Sequence, residues 1–332
     1  MTGKVDLYDG EYGNYESDVY QQVRIETYGV DFGQTSWVTT EESGQIPGWL
    51  ELSSTSSVLE IGCGSGVYAI HIAKTTGCRI TGLDINALGI HNANQLALHR
   101  GLGAQAHFEV CDVSSPLPFA DESFDAIFSN DVLCHIPGRP GLLAEMYRVL
   151  KPGGRRMLFS DALIIGGMIS QDEIATRSSI GYYLFSPPGE NERLIQQAGF
   201  AGLTVADTTG QATGTAARWH QARQKYRDKL LALEGEEKYS GLQRFLSCVQ
   251  TLTQERRLLR LLYQARKPDG SSMLEYQHQI GEKEQKVNCA HQHIGSIAGE
   301  GEATDCQGKN QQNRICRVEP KDHCLSRNQA DG

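Results

Sequence analysis

The sequence lacks long hydrophobic runs and an excess of basic residues. No apolar stretch approaches the roughly 18 residues that a membrane-spanning helix needs. The first ten residues contain no apolar segment typical of a secretory signal. Lys and Arg total 31 against 40 Asp and Glu, which gives a formal net charge of −9. We therefore expect neither a membrane partner nor binding to a nucleic-acid backbone.

The nine cysteines contain no C-x-x-C pair. Their odd number and irregular spacing do not suggest a disulfide framework, so a reducing, cytoplasmic compartment is expected. Four cysteines and three histidines lie after residue 288, but their spacing fits no common zinc finger. The sequence therefore predicts no metal site.

Between residues 57 and 207, short β-branched runs alternate with helical patterns, which is typical of a parallel α/β sheet. The predicted strands are Ser57–Ile61, Arg79–Asp84, Ala106–Val110, Phe124–Ser129, Arg155–Ser160 and Leu203–Asp207. The predicted helices between them are Val67–Thr75, Ala87–Arg100 and Arg139–Leu150. After Thr208 the pattern is helical, and Leu258–Arg266 either extends the second of these helices or forms a last strand. Residues 269–332 are rich in Gln, Gly, Ser and charge, and are expected to be a disordered tail.

A glycine-rich loop follows the first predicted strand, with the sequence V-L-E-I-G-C-G-S-G at residues 58–66. Gly62 and Gly64 allow a sharp turn and a close approach of the backbone to a ligand. A dinucleotide site usually has a third Gly or Ala where this chain has Val67. The carboxylate of Glu60 would repel a pyrophosphate but attract an ammonium group. These features favour a nucleotide-like cofactor with an amino-acid tail and no phosphate.

Two acidic residues follow the next two predicted strands. Asp84 ends the second strand, where a carboxylate can accept hydrogen bonds from both hydroxyls of a ribose. Asp112 follows the third strand and can accept from an adenine amine, while Val113 offers its backbone N–H. The alternatives are an ordinary surface acid for Asp84 and a turn or capping acid for Asp112.

Five segments in this order resemble the class I S-adenosylmethionine-dependent methyltransferases that act on small molecules, such as the sarcosine/dimethylglycine and phosphoethanolamine N-methyltransferases. They are the glycine loop, G-L-D-I-N at 82–86, C-D-V at 111–113, L-P-F-A-D-E-S-F-D-A at 117–126 and R-V-L-K-P-G-G at 148–154. The resemblance covers about residues 20–268. It implies a Rossmann-like α/β fold with a seven-stranded, mostly parallel sheet, helices on both faces and an antiparallel last strand, which favours Leu258–Arg266 as that strand. It also divides the chain into an N-terminal lid segment (1–50), a methyltransferase domain (51–268) with a helical insertion (210–257), and the tail.

The resemblance implies S-adenosylmethionine as the cofactor and assigns residues to it. Glu60, Gly62, Cys63, Gly64 and Gly66 would surround its methionine part. The ribose would be bound by Asp84, with Ile85 against the adenine, and the adenine edge by Asp112 and Val113. Asn130 would lie beside the methionyl end, and the lid would contribute Gln34 and Trp37.

The acceptor side is expected in two segments. The segment 129–135 leaves the carboxyl end of the fourth strand, where ligands bind in open α/β sheets. The resemblance assigns His135 to the base or to orienting the nucleophile, and Tyr28 of the lid to helping position it. A packed or capping histidine is the alternative for His135, whereas Asp131 is equally consistent with substrate contact and with helix capping.

Substrate choice is expected between the fifth strand and the next helix, in residues 162–188. Arg177 can clamp a carboxylate, and the aromatic faces of Tyr182 and Tyr183 can attract a cationic amine. Packing in the core is an equally good alternative for each of these aromatic residues. Further along, the basic cluster Arg256, Arg257, Arg260, Arg266 and Lys267 reads as a solvated face.

The predicted function is methyl transfer from S-adenosylmethionine to a small molecule, with an amine nitrogen favoured as acceptor. O-methylation of a carboxylate or hydroxyl of a small natural product is the alternative. A nicotinamide-dependent oxidoreductase and a non-enzymatic cofactor-binding domain are the remaining hypotheses.

Overall fold

The computed structural model describes residues 7–153 and 155–269. The predicted tail, apart from Asp269, and the cysteines and histidines after residue 288 lie outside these described residues. The fold that follows therefore concerns the lid segment and the methyltransferase-like part of the chain.

A single twisted sheet of seven strands forms the centre of the described part of the chain. Its spatial order is β3-β2-β1-β4-β5-β7-β6, with β7 antiparallel to both β5 and β6 and the other pairs parallel. The predicted fold class, including the antiparallel last strand, is confirmed. The strands are β1 (Ser57–Ile61), β2 (Arg79–Asp84), β3 (Ala106–Val110), β4 (Ala126–Asn130), β5 (Arg155–Ile165), β6 (Ala201–Asp207) and β7 (Leu258–Lys267).

Helices cover both faces of the sheet and form a cap at one end. One face packs against α3, α4 and α5, and the opposite face packs against α6 and α8. A third apolar cluster joins α2 to α9, α10 and α11. The helices are α1 (Leu7–Gly13), α2 (Asp18–Tyr28), α3 (Thr40–Trp49), α4 (Val67–Thr76), α5 (Ala87–His99), α6 (Arg139–Val149), α7 (Gln171–Arg177), α8 (Glu190–Gln197), α9 (Thr209–Lys225), α10 (Arg227–Glu234) and α11 (Glu236–Gln254).

Four strands differ from the predicted bounds. Two of them change little: β6 begins two residues earlier, at Ala201, and β7 ends one residue later, at Lys267. β4 begins at Ala126, because Phe124 makes only an isolated bridge to Leu150 before the ladder with β5 begins. β5 continues past Ser160 to Ile165 and stays paired with β7 after a register shift between Asp161 and Ile164. This extension carries the chain beyond the sheet edge where ligands bind in open α/β folds, so it brings the following segment to that edge.

Arg260 is completely buried, so its predicted place on a solvated face is wrong. β7 lies between β5 and β6, and the alternation of a strand turns Arg260 inward. Its guanidinium pairs with Asp131 (Nε–Oδ1, 2.8 Å) and with Glu42 of α3 (Nη1–Oε2, 2.8 Å). A buried charge is tolerated only with such partners. Arg260 therefore ties α3 and the end of β4 to β7.

Candidate functional site

A cavity of about 560 Å³ lies at the carboxyl ends of β1 and β4, where the strand order of the sheet reverses. Open α/β sheets bind ligands at this switch point. The glycine loop and the ends of β2, β3 and β4 line it, together with α1, residues 33–37, residues 177–183 and parts of α9 and α11. The lining includes sixteen of the predicted site residues: Gln34, Trp37, Glu60, Gly62, Cys63, Gly64, Asp84, Ile85, Asp112, Val113, Asn130, Asp131, His135, Arg177, Tyr182 and Tyr183.

The glycine loop needs its first two glycines for conformation and for space. Gly62 and Gly64 have φ angles of 74° and 52°. A Cβ on Gly62 would lie 2.2 Å from Cγ2 of Val132, and one on Gly64 would lie 2.4 Å from Oη of Tyr12. Gly66 is different, because it does not line the cavity and a Cβ there would lie 2.7 Å from the ring of Phe108. The structure thus gives Gly66 a packing role and leaves its predicted contact with the cofactor unsupported.

Asp84 stands at the end of β2 and organises the loop beside it. Its Oδ2 accepts from the backbone N–H of Gly64 and its Oδ1 from that of Asn86, both at 2.8 Å. Burial raises the pKa of Asp84, and these backbone hydrogen bonds act in the opposite direction. The carboxylate is thus held rigidly at the cavity wall. Ile85, with 69% of its surface exposed, forms the rim next to it.

Two buried side chains in the cavity wall, Asn130 and Glu60, carry polar atoms without a hydrogen-bond partner among the described residues. The atoms without a partner in that part of the chain are Nδ2 and Oδ1 of Asn130 and Oε2 of Glu60. Burial raises the pKa of Glu60 well above its ordinary value, and the charge of Asp84 adds to this rise. Leaving buried polar atoms unsatisfied is costly, so the wall is complementary to a ligand that brings its own donors and acceptors. The amino-acid tail of S-adenosylmethionine carries both, so these residues fit the predicted cofactor.

The predicted adenine-edge pair lies on the same wall. Asp112 is exposed, and its Oδ1 accepts from the backbone N–H of Ser114 at 3.0 Å. Hydrogen bonds from Ser114 hold the pKa of Asp112 below its ordinary value. Val113 is buried beside it. The pair combines an ionised acceptor with an apolar surface.

His135 is held in one tautomer on a short 3₁₀ turn, Leu133–His135. Its Nδ1 lies 2.8 Å from the carbonyl oxygen of Tyr182. Because a carbonyl only accepts, Nδ1 carries the proton and Nε2 presents its lone pair. That nitrogen lies 3.2 Å from Oη of Tyr8, which donates to it. Burial lowers the pKa of His135 to about 4, so the imidazole is neutral at pH 7.

Helix α1 contributes two tyrosines that the sequence analysis missed. Tyr8 and Tyr12 are one turn apart and therefore lie on one face of the helix. Tyr8 contacts His135, and Tyr12 lies over Gly64 of the glycine loop. In the sequence, the i, i+4 spacing of these two tyrosines in the tyrosine-rich N-terminal segment is the signal that could have identified them. One helix thus reaches both the predicted cofactor wall and the predicted acceptor wall.

Tyr28 is not in this cavity, contrary to its predicted role. Its hydroxyl donates to the carbonyl of Ser36 at 2.8 Å, and its ring packs near that of Trp219. It borders a separate groove that does not contain His135. Tyr8, rather than Tyr28, is the tyrosine that stands beside His135 in the cavity.

The two other lid residues lie in the cavity wall and are anchored by the backbone. The amide of Gln34 accepts from the N–H of Phe32 at 2.7 Å and donates to the carbonyl of Val30 at 2.9 Å, which closes the lid loop on itself. The backbone N–H of Trp37 donates to Oδ2 of Asp131 at 3.2 Å. The lid loop is therefore fastened to the end of β4.

Asp131 is a structural anchor in this arrangement. Its φ angle of 59° is rare for a residue other than glycine. Its Oδ1 accepts from Ser160 and from Arg260, both at 2.8 Å, while Oδ2 faces Trp37. It borders the cavity but caps no helix. The negative charge of Asp131 is already paired with Arg260. Asp131 therefore attracts a cationic amine less strongly than its position in the sequence suggests.

Arg177 is a buried cation with unpaired donors inside the cavity. Only 2% of its surface is exposed, and Nε and Nη1 have no hydrogen-bond partner in residues 7–153 and 155–269. Its Cζ lies 4.5 Å from the ring centre of Tyr183, 5.0 Å from that of Phe245 and 5.9 Å from that of Trp37. These contacts hold the guanidinium by cation–π attraction. Its free N–H groups can bind an anion.

Helix α1 carries a buried carboxyl, Glu11, which is 5% exposed. Burial raises its pKa from 4.5 to about 7, although Arg223 and Arg24 oppose the rise. Between these values the folded chain binds more protons than the unfolded chain, so stability is lost as the pH rises through about 7. We therefore expect Glu11→Gln to increase Tm at pH 8 by on the order of 5 °C.

Thermal unfolding followed by circular dichroism at pH 5 and pH 8 measures this effect. Near pH 5 the wild-type carboxyl is protonated, so the gain should nearly vanish. Glu16→Gln, at an exposed position of the loop after α1, is the matched control and should change neither Tm. A gain of equal size at both pH values would contradict the assignment.

Two further properties concern only the described ranges 7–153 and 155–269. There, no group of three His, Cys, Asp or Glu side chains is arranged to hold a metal ion. No helix within these ranges is both long enough and apolar enough to cross a membrane.

Comparison with known proteins identifies the family of the central region. Residues 59–158 match the family described as a methyltransferase domain. The chain is 31% identical over 172 residues to methyltransferase GfsG of Streptomyces halstedii, covering 50% of this chain and 60% of that protein. It is 29% identical over 218 residues to a phosphoethanolamine N-methyltransferase of Triticum aestivum, covering 65% and 41%.

The fold is also found in a solved structure. A phosphoethanolamine N-methyltransferase from Haemonchus contortus, in complex with phosphomonomethylethanolamine and S-adenosylhomocysteine, superposes with a TM-score of 0.66 at 20% identity. The alignment covers 78% of this chain and 60% of that one. The chain thus spans between 41% and 60% of the length of these three proteins. The resemblance to class I S-adenosylmethionine-dependent methyltransferases is confirmed, and residues 59–158 match a methyltransferase domain.

Proposed function

We propose that this chain, which carries a methyltransferase domain, transfers a methyl group from S-adenosylmethionine to an amine nitrogen of a small molecule that also bears an acidic group. One observation carries the proposal. The unpaired guanidinium N–H groups of Arg177 and the proton-accepting Nε2 of His135 line the same cavity as the glycine loop. The cavity therefore has places for a cofactor, an anion and a nucleophile.

The cofactor would be held by the wall of the glycine loop. Asp84 would accept from the ribose hydroxyls, with Ile85 against the adenine and Asp112 and Val113 at its edge. The amino-acid tail would meet the backbone of Gly62, Cys63 and Gly64 and the unsatisfied atoms of Glu60 and Asn130. When bound, S-adenosylmethionine supplies an activated methyl group on a sulfonium.

His135 would orient the nucleophile. With a pKa of about 4 it is a weak base, so it does not take the proton of an ammonium at pH 7. It would instead accept a hydrogen bond from a neutral amine, in the place where Tyr8 now donates, and so fix the direction of the nitrogen lone pair. The lid segment 1–50 would exclude water through α1 and through Gln34 and Trp37.

Arg177 would bind the acidic group of the acceptor. Nε and Nη1 have no hydrogen-bond partner among the described residues, and an oxygen of a carboxylate or phosphate would accept from one of them. Tyr182 and Tyr183 would form the wall beside that group. The family match and the phosphoethanolamine N-methyltransferase relative support an amine with an anionic group, without identifying the compound.

A hydroxyl oxygen is the second candidate acceptor. The cationic form of an amine would need open aromatic faces, but the guanidinium of Arg177 already covers the ring of Tyr183. The charge of Asp131 is likewise paired with Arg260. A hydroxyl could donate a hydrogen bond to Nε2 of His135 and so direct an oxygen lone pair at the methyl group.

The proposal is tested by S-adenosylhomocysteine release from S-adenosylmethionine over matched acceptors. The panel contains amines and alcohols, each with and without a carboxylate or phosphate. Turnover limited to anionic amines supports the first candidate. Turnover limited to alcohols supports the second, and no turnover with any acceptor would contradict the methyl-transfer proposal for this panel.

Arg177→Met is expected to raise KM for an anionic acceptor by roughly 10²-fold, because a charge-assisted hydrogen-bonded pair is lost. The value of kcat should change far less, since Arg177 contacts the acidic group and not the reacting atom. Steady-state kinetics with an anionic acceptor and its neutral methyl ester measure the difference. An equal rise of KM for both compounds would show that Arg177 only supports the packing of Tyr183 and Phe245.

A further inference from the structure

Arg139, at the start of α6, is a buried residue for which the mechanism above has no role. It is 3% exposed, and its guanidinium lies behind the turn that carries His135. Nη2 donates to the carbonyl of Leu133 in that turn at 3.1 Å. Nη1 donates to Oγ of Ser186 at 2.8 Å and to Oδ1 of Asn191 at 2.6 Å. Arg139 thus contacts both the histidine turn, Leu133–His135, and a second segment that contains Ser186.

The second segment, residues 182–186, contains the carbonyl that fixes the histidine tautomer. Three ties connect it to the turn and its flank. Nδ1 of His135 bonds to the carbonyl of Tyr182, the N–H of Leu184 donates to the carbonyl of Cys134 at 2.8 Å, and Arg139 bonds to Ser186. Ser186 also bridges to Ile164 in the extended part of β5.

An ion pair fixes the guanidinium in this position. Nη1 of Arg139 lies 3.0 Å from Oδ2 of Asp161, which is fully buried at the register shift in β5. The other oxygen of Asp161 accepts from the N–H of Leu163 at 2.9 Å, and Asn191 donates to Oδ2 at 3.0 Å. Among the described residues, Nε of Arg139 has no hydrogen-bond partner, whereas both of its terminal nitrogens and both oxygens of Asp161 do. A buried ion pair held on these atoms is geometrically restrictive, although it adds little net stability.

We infer that Arg139, held by Asp161, is a positioning residue that sets the orientation and tautomer of His135 by joining the histidine turn to Ser186. Arg139 does not line the cavity, so it acts only through His135. If Ser186 is released, the carbonyl of Tyr182 is held less firmly, and the imidazole is free to place its proton on either nitrogen. The effect on turnover rests on the proposed function, whereas the effect on the tautomer does not.

The test breaks the hydrogen bond between Arg139 and Ser186 without removing the positive charge of Arg139. Truncating Arg139 itself would leave Asp161 as an unpaired buried charge and would endanger folding. Ser186→Ala deletes only one hydrogen bond, and Arg139→Lys keeps the charge but cannot donate to Leu133 and Ser186 in the same fork. Ser43→Ala is the matched control, because Ser43 is also buried and makes one hydrogen bond, to the carbonyl of Thr40, far along the chain from the turn.

Two readouts separate positioning from general destabilisation. Nitrogen-15 NMR of labelled histidines, with His135→Gln for assignment, should show Nδ1–H in the wild type and in Ser43→Ala, and a mixture of tautomers in Ser186→Ala and Arg139→Lys. We expect kcat of Ser186→Ala to fall by about tenfold at unchanged affinity for S-adenosylhomocysteine.

Either of two results would overturn the inference. One is a wild-type tautomer spectrum in both Ser186→Ala and Arg139→Lys. The other is an equal loss of kcat in Ser43→Ala. Absence of turnover in the wild type would instead contradict the proposed function, and the NMR comparison would still decide whether Arg139 positions His135.

Discussion

Replacing His135 with alanine is expected to lower kcat by roughly 10²–10⁴-fold. The variant removes the lone pair at Nε2 that orients the nucleophile, while the glycine loop and Asp84 stay in place. The affinity for S-adenosylhomocysteine should therefore change by less than about twofold, since His135 makes no contact with the residues proposed to hold the cofactor. Product release under saturating acceptor and calorimetric titration with S-adenosylhomocysteine measure the two quantities separately.

His107→Ala is the matched control for this variant. His107 is exposed on β3 and bonds only to its neighbour Glu109, so its loss should leave kcat unchanged. Full turnover of His135→Ala would mean that the histidine is a packed residue, which is the alternative that the sequence leaves open. Loss of cofactor affinity together with kcat would mean that the turn supports the whole cavity.

The pH dependence of kcat tests the proposed role of neutral His135 without a mutation. The pKa of His135 is lowered to about 4 by burial, so the neutral form that accepts a hydrogen bond persists from pH 8 down to about 5. The acidic limb due to His135 should lie near pH 4. A limb near 6.5 would mean that the imidazole is solvated during turnover.

The lowered pKa of His135 also makes the stability of the fold depend on pH. Between about pH 4 and 6.5 the unfolded chain binds a proton at His135 that the folded chain does not. Stability from this residue is therefore lost as the pH falls through that window. Measurements of the acidic limb must be made where the protein is still folded, which circular dichroism at each pH establishes.

The central strands were predictable because their physical signal is local. β1, β2 and β3 have the predicted bounds, since each is a short run ended by glycine or polar residues. The length of β5 was not predictable in the same way. Its continuation past Ser160 depends on pairing with β7, about a hundred residues later in the chain. Pairing across such a distance leaves no mark in the local sequence.

The two sides of the cavity differ in predictability for the same reason. The proposed cofactor wall comes mostly from consecutive residues of single loops, such as the glycine loop, so motifs describe most of it, whereas Tyr12 of α1 is missed. The proposed acceptor wall is assembled from distant segments: Tyr8 meets His135, and Arg260 meets Asp131, across more than a hundred positions. The sequence favours Tyr28 over Tyr8 and is consistent with two roles for Asp131. Nothing nearby in the sequence shows which distant residue pairs with Tyr8 or with Asp131.

Asp84→Ala is expected to weaken binding of S-adenosylhomocysteine by about 100-fold or more. The proposed hydrogen bonds from two ribose hydroxyls to a carboxylate are charge-assisted, and each contributes roughly 1.5–3 kcal/mol. Asp84 also fixes Gly64 and Asn86 through their backbone N–H groups, so the loop loses its support in the same variant. Asp112→Ala should cost less, because Asp112 is exposed and competes with water for its partner. Calorimetric titration with S-adenosylhomocysteine measures both variants.

Asp121→Ala serves as the control, since Asp121 is an exposed acid whose pair with Arg148 lies on the surface. It should leave the affinity unchanged. Wild-type affinity in Asp84→Ala would contradict the ribose assignment, whatever the kinetics show. Loss of affinity in Asp84→Ala at an unchanged kcat under saturating cofactor, opposite to the pattern of His135→Ala, would mean that the cavity has two separable walls. Equal losses of both quantities in both variants would instead mean that the lid and α1, which touch both walls, bind cofactor and acceptor as one unit.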